Sequence, residues 1–199
     1  MIIFVFLLAY LLGSLPFGYW IAKVVRNVDI RKFGSGNIGA TNVARVIGKK
    51  WGILVFFLDF IKGFLAIYLT LLIYPSSQEG IYLISAILVV CGHSFSIFLK
   101  FKGGKGVSTS LGAICGLIFK YFFLLFPLLI ALLVWGVVFF RFHFISLASL
   151  LASFSFFVST LFFRLPYGIK SFSFLIFVLI LLRHRSNILR LMKRREFRL

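Results

Sequence analysis

The thirty residues LGAICGLIFKYFFLLFPLLIALLVWGVVFF, Leu111–Phe140, decide how many times this chain crosses a membrane. They are apolar except for Lys120-Tyr121 near the middle, and Pro127 follows shortly after. Read as one helix the stretch is long and tilted; a turn at Lys120–Pro127 makes it two crossings or a non-crossing hairpin. Charge decides the parity. Lys23–Lys50 carries seven basic residues, Lys100–Lys105 three and Arg183–Arg198 seven. Cytoplasmic loops carry the excess of Lys and Arg, so all three belong on one face. The first three spans are Ile2–Ala22, Trp51–Tyr74 and Ile81–Leu99, and the last two are Phe144–Phe163 and Ile169–Leu182. The basic tail then returns to the cytoplasmic face only if Leu111–Phe140 crosses an even number of times. The expectation is an all-α integral membrane protein, a seven-helix bundle with its N-terminus outside and C-terminus cytoplasmic, forming one domain over residues 1–199. A hairpin would leave five full spans with the same parity.

Composition agrees with this reading. The chain is 62% hydrophobic and 13% charged, against about 45–50% and about a quarter in a soluble domain. The net charge of +18 sets 22 Lys and Arg against only Asp29, Asp59, Glu79 and Glu196. In a membrane protein such charge holds topology and sits on anionic lipid, so no nucleic-acid partner is expected. So few acids argue against a paired-carboxylate mechanism. Cys91 and Cys115 lie in apolar runs without CxxC or His/Cys spacing, so they read as packing residues, and no metal or cofactor is expected. The apolar N-terminus lacks a basic lead and reads as a first span rather than a cleaved signal. Pro16 is expected to bend that span. Pro75 with Ser76-Ser77, and Pro166-Tyr167-Gly168, mark outer turns.

Three polar motifs fall on the cytoplasmic face. The first, Gly34-Ser-Gly-Asn-Ile-Gly-Ala-Thr-Asn42, is glycine-dense and flanked by Arg31, Lys32 and Arg45. Backbone N–H groups of such a run can curl into a nest around phosphate oxygens. A helix starting near Ile38 to Thr41 would add free N–H groups, with Arg45 one turn on and able to fork onto a phosphate. The second runs from His93 through Lys100-Phe-Lys102-Gly103-Gly104-Lys105-Gly106 to Ser108-Thr109. It lacks Walker A spacing and a preceding strand, yet a glycine turn holding a lysine still suits a phosphate ester. The third, Arg183-His184-Arg185-Ser186-Asn187-Ile188-Leu189-Arg190, places His184 and Asn187 on one helical face. Asp59 and Lys62 form an intramembrane i, i+3 pair, which pairs internally or braces a loop. Arg141 with Ser146 and Ser149 makes a smaller polar patch.

In this order, the motifs resemble the bacterial acyl-phosphate:glycerol-3-phosphate acyltransferase family. The matching stretches are Leu12–Gly18, Asp29–Asn42 with Arg45, Leu58–Gly63, Gly92–Phe95, Phe101–Val107 and Arg183–Leu191. Ser96 and Ser108 depart from the proline and alanine expected there. The resemblance implies transfer of an acyl group from acyl phosphate to the 1-hydroxyl of glycerol 3-phosphate, giving lysophosphatidic acid and phosphate. It also implies a seven-span bundle in the bacterial inner membrane, a cytoplasmic active site and a monomeric enzyme.

On that reading Ser35, Asn37 and Thr41, with the backbone of Gly34–Gly36 and Gly103-Gly104, hold the acyl phosphate, and Asn42 is expected among the phosphate-binding residues. Arg45, Lys105, His184 and Asn187 hold glycerol 3-phosphate, with Ser35, Arg45, His184 and Asn187 nearest the chemistry. The base is a substrate phosphate oxygen or His184. The competing class, a transporter for an anionic metabolite, would show internal repeats and polar residues at the bilayer midplane. Apart from Asp59 and Lys62, these spans are plainly apolar.

Overall fold

The computed structural model describes residues 2–76 and 79–198, and among them every regular element is helical. The residues form two compact units, Met1–Gly116 and Leu117–Leu199.

The first unit contains α1 (Ile2–Ser14), α2 (Phe17–Arg26), α3 (Ala40–Val46), α4 (Lys49–Ile73), α5 (Glu79–Ser94) and most of α6 (Val107–Ile118). Single 3-10 turns stand at Ile30–Lys32 and Ile97–Leu99. Pro16, which has no N–H to donate, makes the expected bend a full break between α1 and α2. Two side chains from elsewhere satisfy the carbonyls that the break exposes. Lys62 Nζ donates to the Leu15 carbonyl at 2.9 Å, and Ser96 Oγ donates to that of Ser14 at 2.6 Å. The departure at Ser96 thus has a purpose in this chain, because proline could not make that bond.

α1 packs on α5 and α4. The α1–α5 contact is backbone on backbone: a Cβ at Gly13 would stand 2.0 Å from the Val89 carbonyl oxygen, and one at Gly92 2.2 Å from that of Tyr10. Small residues permit this approach, and dispersion between closely packed helices does the holding that water cannot do in lipid.

The second unit runs from a 3-10 turn at Phe122–Leu124 through α7 (Leu125–Phe142), α8 (Ile145–Phe162), α9 (Tyr167–Arg183) and α10 (Arg185–Met192). α8 lies between α7 and α9. Phe154 and Phe157 meet Phe174 and Phe177 across α8–α9, and the Thr160 and Ser173 hydroxyls bond at 2.9 Å. The outer turn expected at Pro166-Tyr167-Gly168 is shorter than the motif, since Pro166 caps α9 and the helix begins at Tyr167. At the other expected outer turn, Pro75 and Ser76 do form a turn; Ser77 lies outside the described residues.

The decisive stretch is broken. Helix α6 stops at Ile118, residues 119–121 are not α-helical, and α7 starts at Leu125 with Pro127 in its first turn, where a missing N–H breaks no helical bond. Among the described residues, five segments are long and apolar enough to cross a membrane: Ile2–Arg26, Lys49–Ile73, Glu79–Leu99, Phe122–Phe142 and Ile145–Phe162. The α9–α10 pair, bent by 59°, makes a sixth if it is one span. The twelve residues of α6 reach only about 18 Å at about 1.5 Å per residue.

Burial is inverted relative to a soluble protein. Phe162 is 83% and Phe140 75% exposed, whereas Asp59 and Lys62 are each 3% exposed. Hydrocarbon solvates the phenyl rings, and the charged groups have to be satisfied inside. The chain is an all-helical, multi-pass integral membrane protein.

Candidate functional site

The first polar loop is held in shape mainly by its own residues. Asp29 opens it, accepting the Arg31 N–H and gripping the Arg31 guanidinium at 2.9 and 2.7 Å. The Arg31 side chain, which also lies over the Tyr19 ring, holds the Asp29 carboxyl down at about 2, and Asp29 in turn raises the guanidinium. Arg31 is therefore a matched charge rather than a loose cation beside the loop. Gly34 and Gly36 then adopt φ of +58° and +70°, which turn the chain back on itself.

Asn42 staples the turn. Its Nδ2 donates to the carbonyls of Phe33 at 3.0 Å and Asn37 at 2.8 Å, and its Oδ1 accepts the Ser35 N–H at 2.9 Å. Asn42 is 1% exposed, so this residue, expected at the phosphate, is a structural support: its amide serves the loop on both edges. The Gly36 N–H is likewise engaged by Phe33, and that of Gly39 by Asn37 Oδ1. The nest of N–H groups expected around Gly34–Gly36 is correspondingly narrower. The side chains of Ser35, Asn37, Thr41 and Arg45 remain half-buried, and Gly34 and Gly36 are exposed.

The helix expected near Ile38 to Thr41 is α3, which starts at Ala40. It is tied at its far end by Arg26, whose Nη1 donates to the Val46 carbonyl at 3.1 Å. Beneath the loop lies an apolar core of Ala22, Ile30, Ile38, Val43, Ile47 and Val55. Leu99, from just before the second glycine motif, completes this core, so the two glycine-rich loops share one support.

The second loop leaves α5 through Lys100 and Phe101, both at positive φ. Gly103 and Gly104 lie flat against the end of α5, with their N–H groups donating to the Ser94 and His93 carbonyls at 3.2 and 2.9 Å. They therefore do not offer those donors to a phosphate, as expected of them, but fix the backbone from which Lys105 projects. A Cβ on Gly103 would stand 2.0 Å from the His93 carbonyl oxygen. Gly106, at φ +84°, leads into α6, where Thr109 and Ser110 are buried.

Below this loop is a buried charge cluster. Asp59 Oδ1 accepts from Lys62 Nζ at 2.8 Å and faces His93 Nδ1 at 3.5 Å. The intramembrane pair is thus internal, and through Leu15 it also braces the α1–α2 break.

The third motif belongs to the second unit. His184 sits at the bend between α9 and α10 and is buried, as is Asn187, and the Asn187 N–H donates to the His184 carbonyl at 2.8 Å. His184 Nδ1 meets the Ile180 carbonyl at 2.8 Å. A carbonyl only accepts, so Nδ1 carries a proton in either charge state of the ring. Asn187 Nδ2 donates to Glu196 Oε1 at 2.6 Å. Sequence reasoning missed that carboxylate, whose one signal was being the lone acid in a basic tail.

These features fit what known proteins show. The model of the family described as glycerol-3-phosphate acyltransferase matches residues 3–194, across both units. A glycerol-3-phosphate acyltransferase of Aquifex aeolicus is 41% identical over 198 residues, covering 98% of each chain. One of Macrococcus caseolyticus is 43% identical over 190 residues, covering 96% of this chain and 93% of that one. The crystal structure of PlsY, an integral membrane glycerol 3-phosphate acyltransferase, in its glycerol 3-phosphate form superposes with a TM-score of 0.89 at 40% identity, covering 100% of this chain and 95% of that one. Its lysophosphatidic acid form gives 0.86 at 40% identity, covering 99% and 94%. With the motifs, the helical fold and a match along nearly the whole length all in agreement, this chain belongs to the glycerol-3-phosphate acyltransferase family.

Proposed function

We infer that this membrane acyltransferase takes its acyl group from an acyl phosphate and delivers it to the 1-hydroxyl of glycerol 3-phosphate. Lysophosphatidic acid and inorganic phosphate are the products, and the step opens phospholipid synthesis. The observation that carries the reading is the single core of Ile38, Val43 and Leu99 under two basic, glycine-turn loops. A reaction between two phosphate-bearing substrates needs two anion-binding walls, and this unit builds two on one support.

In the first unit, Ser35, Asn37 and Thr41 contact the acyl phosphate beside the exposed turn at Gly34 and Gly36. Arg45 and Lys105 bind phosphate oxygens, Arg45 through its two-pronged guanidinium. Asn42 and the Gly103-Gly104 backbone keep these groups in place. In the second unit, His184 and Asn187 contact glycerol 3-phosphate. One feature favours His184 as a binding group over a base: the Ile180 carbonyl rather than a carboxylate backs its Nδ1. The 1-hydroxyl oxygen attacks the acyl carbonyl carbon, the bond from that carbon to the phosphate oxygen breaks, and phosphate leaves with the electron pair. The hydroxyl proton passes to a substrate phosphate oxygen. Held together, the reactants gain from proximity, and cationic donors steady the developing oxyanion.

The basic loops support an orientation with the N-terminus outside and the C-terminus and active site cytoplasmic, in the inner membrane. Seven crossings follow if α6 and the α9–α10 pair each count as one. The enzyme works as a monomer.

The test is an assay of purified protein with labelled glycerol 3-phosphate and three donors: acyl phosphate, acyl-CoA and acyl-carrier protein. Turnover is expected with acyl phosphate alone. Turnover with a thioester and none with acyl phosphate would overturn the donor assignment.

A further inference from the structure

Both glycine-rich loops are held from the break at Pro16. On one side of it, the Ser14 carbonyl accepts from Ser96 Oγ at 2.6 Å, and the Leu15 carbonyl accepts from Lys62 Nζ at 2.9 Å. On the other side stands Gly18, in the first turn of α2. A Cβ there would lie 1.8 Å from the Ile38 carbonyl oxygen, so α2 backs directly onto the first loop. Further along the same helix, Tyr19 lies under Arg31, and Ala22 enters the shared core.

The second loop is rooted in residues 94–96, which are bonded to α1. Tyr10 of α1 donates from its hydroxyl to the Phe95 carbonyl at 2.8 Å, beside the bond from Ser96 to Ser14. In turn the Ser96 carbonyl accepts the Phe101 N–H at 2.8 Å, and the Ser94 carbonyl accepts that of Gly103 at 3.2 Å. The Lys105 loop therefore follows the end of α1, while the first loop rides on α2. One joint in the backbone lies between them, and Pro16 donates no hydrogen bond across it.

The two donors that close this joint are buried, Ser96 at 1% and Lys62 at 3% exposed. Inside a membrane a carbonyl that loses its donor has no water to turn to. The ten residues of α2 extend about 15 Å at about 1.5 Å per residue, so a swing of about 5° at the joint moves the far end by about 1 Å. We propose that Lys62 and Ser96 are positioning residues for acyl transfer: by closing the joint at Pro16 they set the separation of the two loops, and with it the distance between the bound phosphate groups. This rests on the reading above, in which the two loops bind the substrates' phosphates.

The experiment compares the parent chain with Ser96→Ala and with Lys62→Met/Asp59→Asn, which removes the bond to Leu15 without stranding a buried charge. Lys32 and Lys102 are exposed, one near each loop. Lys32→Cys and Lys102→Cys, in a Cys91→Ser/Cys115→Ser background, carry spin labels whose dipolar coupling in nanodiscs reads the loop separation. In the unlabelled chains, kcat and both KM values are measured per glycerol 3-phosphate site titrated by equilibrium binding, and melting midpoints are recorded alongside. Both clamp variants should widen the label distance distribution. We expect kcat to fall about tenfold, on the scale of a misplacement of about 1 Å or less. Each loop keeps its own shape, so both KM values should stay within about twofold. An unchanged distance distribution, or a widened one with kcat intact, overturns the positioning role, and so does a lowered midpoint as the sole effect. Arg45→Ala and Lys105→Ala test the underlying reading separately. If neither raises a KM, the loops are not the phosphate sites, whatever the label distances show.

Discussion

The Nε2 edge of the His93 imidazole lies against Gly104, where a Cβ would stand 2.1 Å from that nitrogen. The ring has little room to retreat, because its other nitrogen faces Asp59 within the buried cluster. Gly104→Ala must therefore displace the loop that carries Lys105. We expect kcat/KM to fall about a hundredfold, the scale of an ångström-sized misplacement. His93→Ala in the same chain removes the obstacle, so the double variant should be more active than Gly104→Ala alone. A double variant no better than the single one would mean that the clash is not the cause.

Lys62 is bonded to Asp59 and to the Leu15 carbonyl at once. Lys62→Met removes both bonds and strands a carboxylate in the interior, a change that costs about 3–5 kcal/mol. Adding Asp59→Asn removes the stranded charge and should restore much of the loss. Equilibrium unfolding of the two variants in mixed micelles reads the difference; equal stability of single and double variants would refute it.

At His184, a carbonyl in place of a carboxylate behind Nδ1 has a kinetic consequence. His184→Gln keeps a hydrogen-bonding side chain but no basic nitrogen. It should raise KM for glycerol 3-phosphate about tenfold, one hydrogen bond to a charged substrate, while keeping most of kcat. Collapse of kcat at saturating substrate would make His184 the base.

The Asp29–Arg31 pair lies outside the spans, and its stability should depend on acid. The hydrogen bond from Arg31 lowers the Asp29 carboxyl from 3.8 to about 2. A depressed carboxyl stabilises the fold above its ordinary value, and that contribution fades as pH falls through about 2. Melting midpoints of the parent and Asp29→Asn should thus differ at pH 6 and converge between pH 4 and pH 2. A gap that persists at pH 2 would refute the assignment.

Much of this architecture is legible without coordinates, because lipid imposes blunt rules. Long apolar runs had to become helices, and Lys120-Tyr121 marked the helix break that the structure places at 119–121. The loops were harder. Asn37 and Asn42 are chemically alike in sequence, and only the fold makes Asn42 the buried staple while Asn37 remains half-exposed. Gly103 and Gly104 read as phosphate-cradling glycines, yet what demands glycine there is contact with His93. Glu196 was invisible for another reason: the bond to Asn187 joins two turns through a chain reversal at Arg194, a non-glycine residue at positive φ. No pattern in composition announces that.

The buried ion pair also bears on how the protein is made. A lone charge at a helix centre opposes insertion by about 2.5–3.5 kcal/mol, and a charge whose counter-ion sits on another helix must wait for that helix to arrive. Asp59 and Lys62 are three residues apart within α4, so this segment carries its own neutralisation into the translocon. It can enter the bilayer as a formally neutral unit over that turn, before α5 has been synthesised. The bond to Leu15 and the approach of His93 then form as the helices assemble, turning a device for biogenesis into the brace beneath the Lys105 loop.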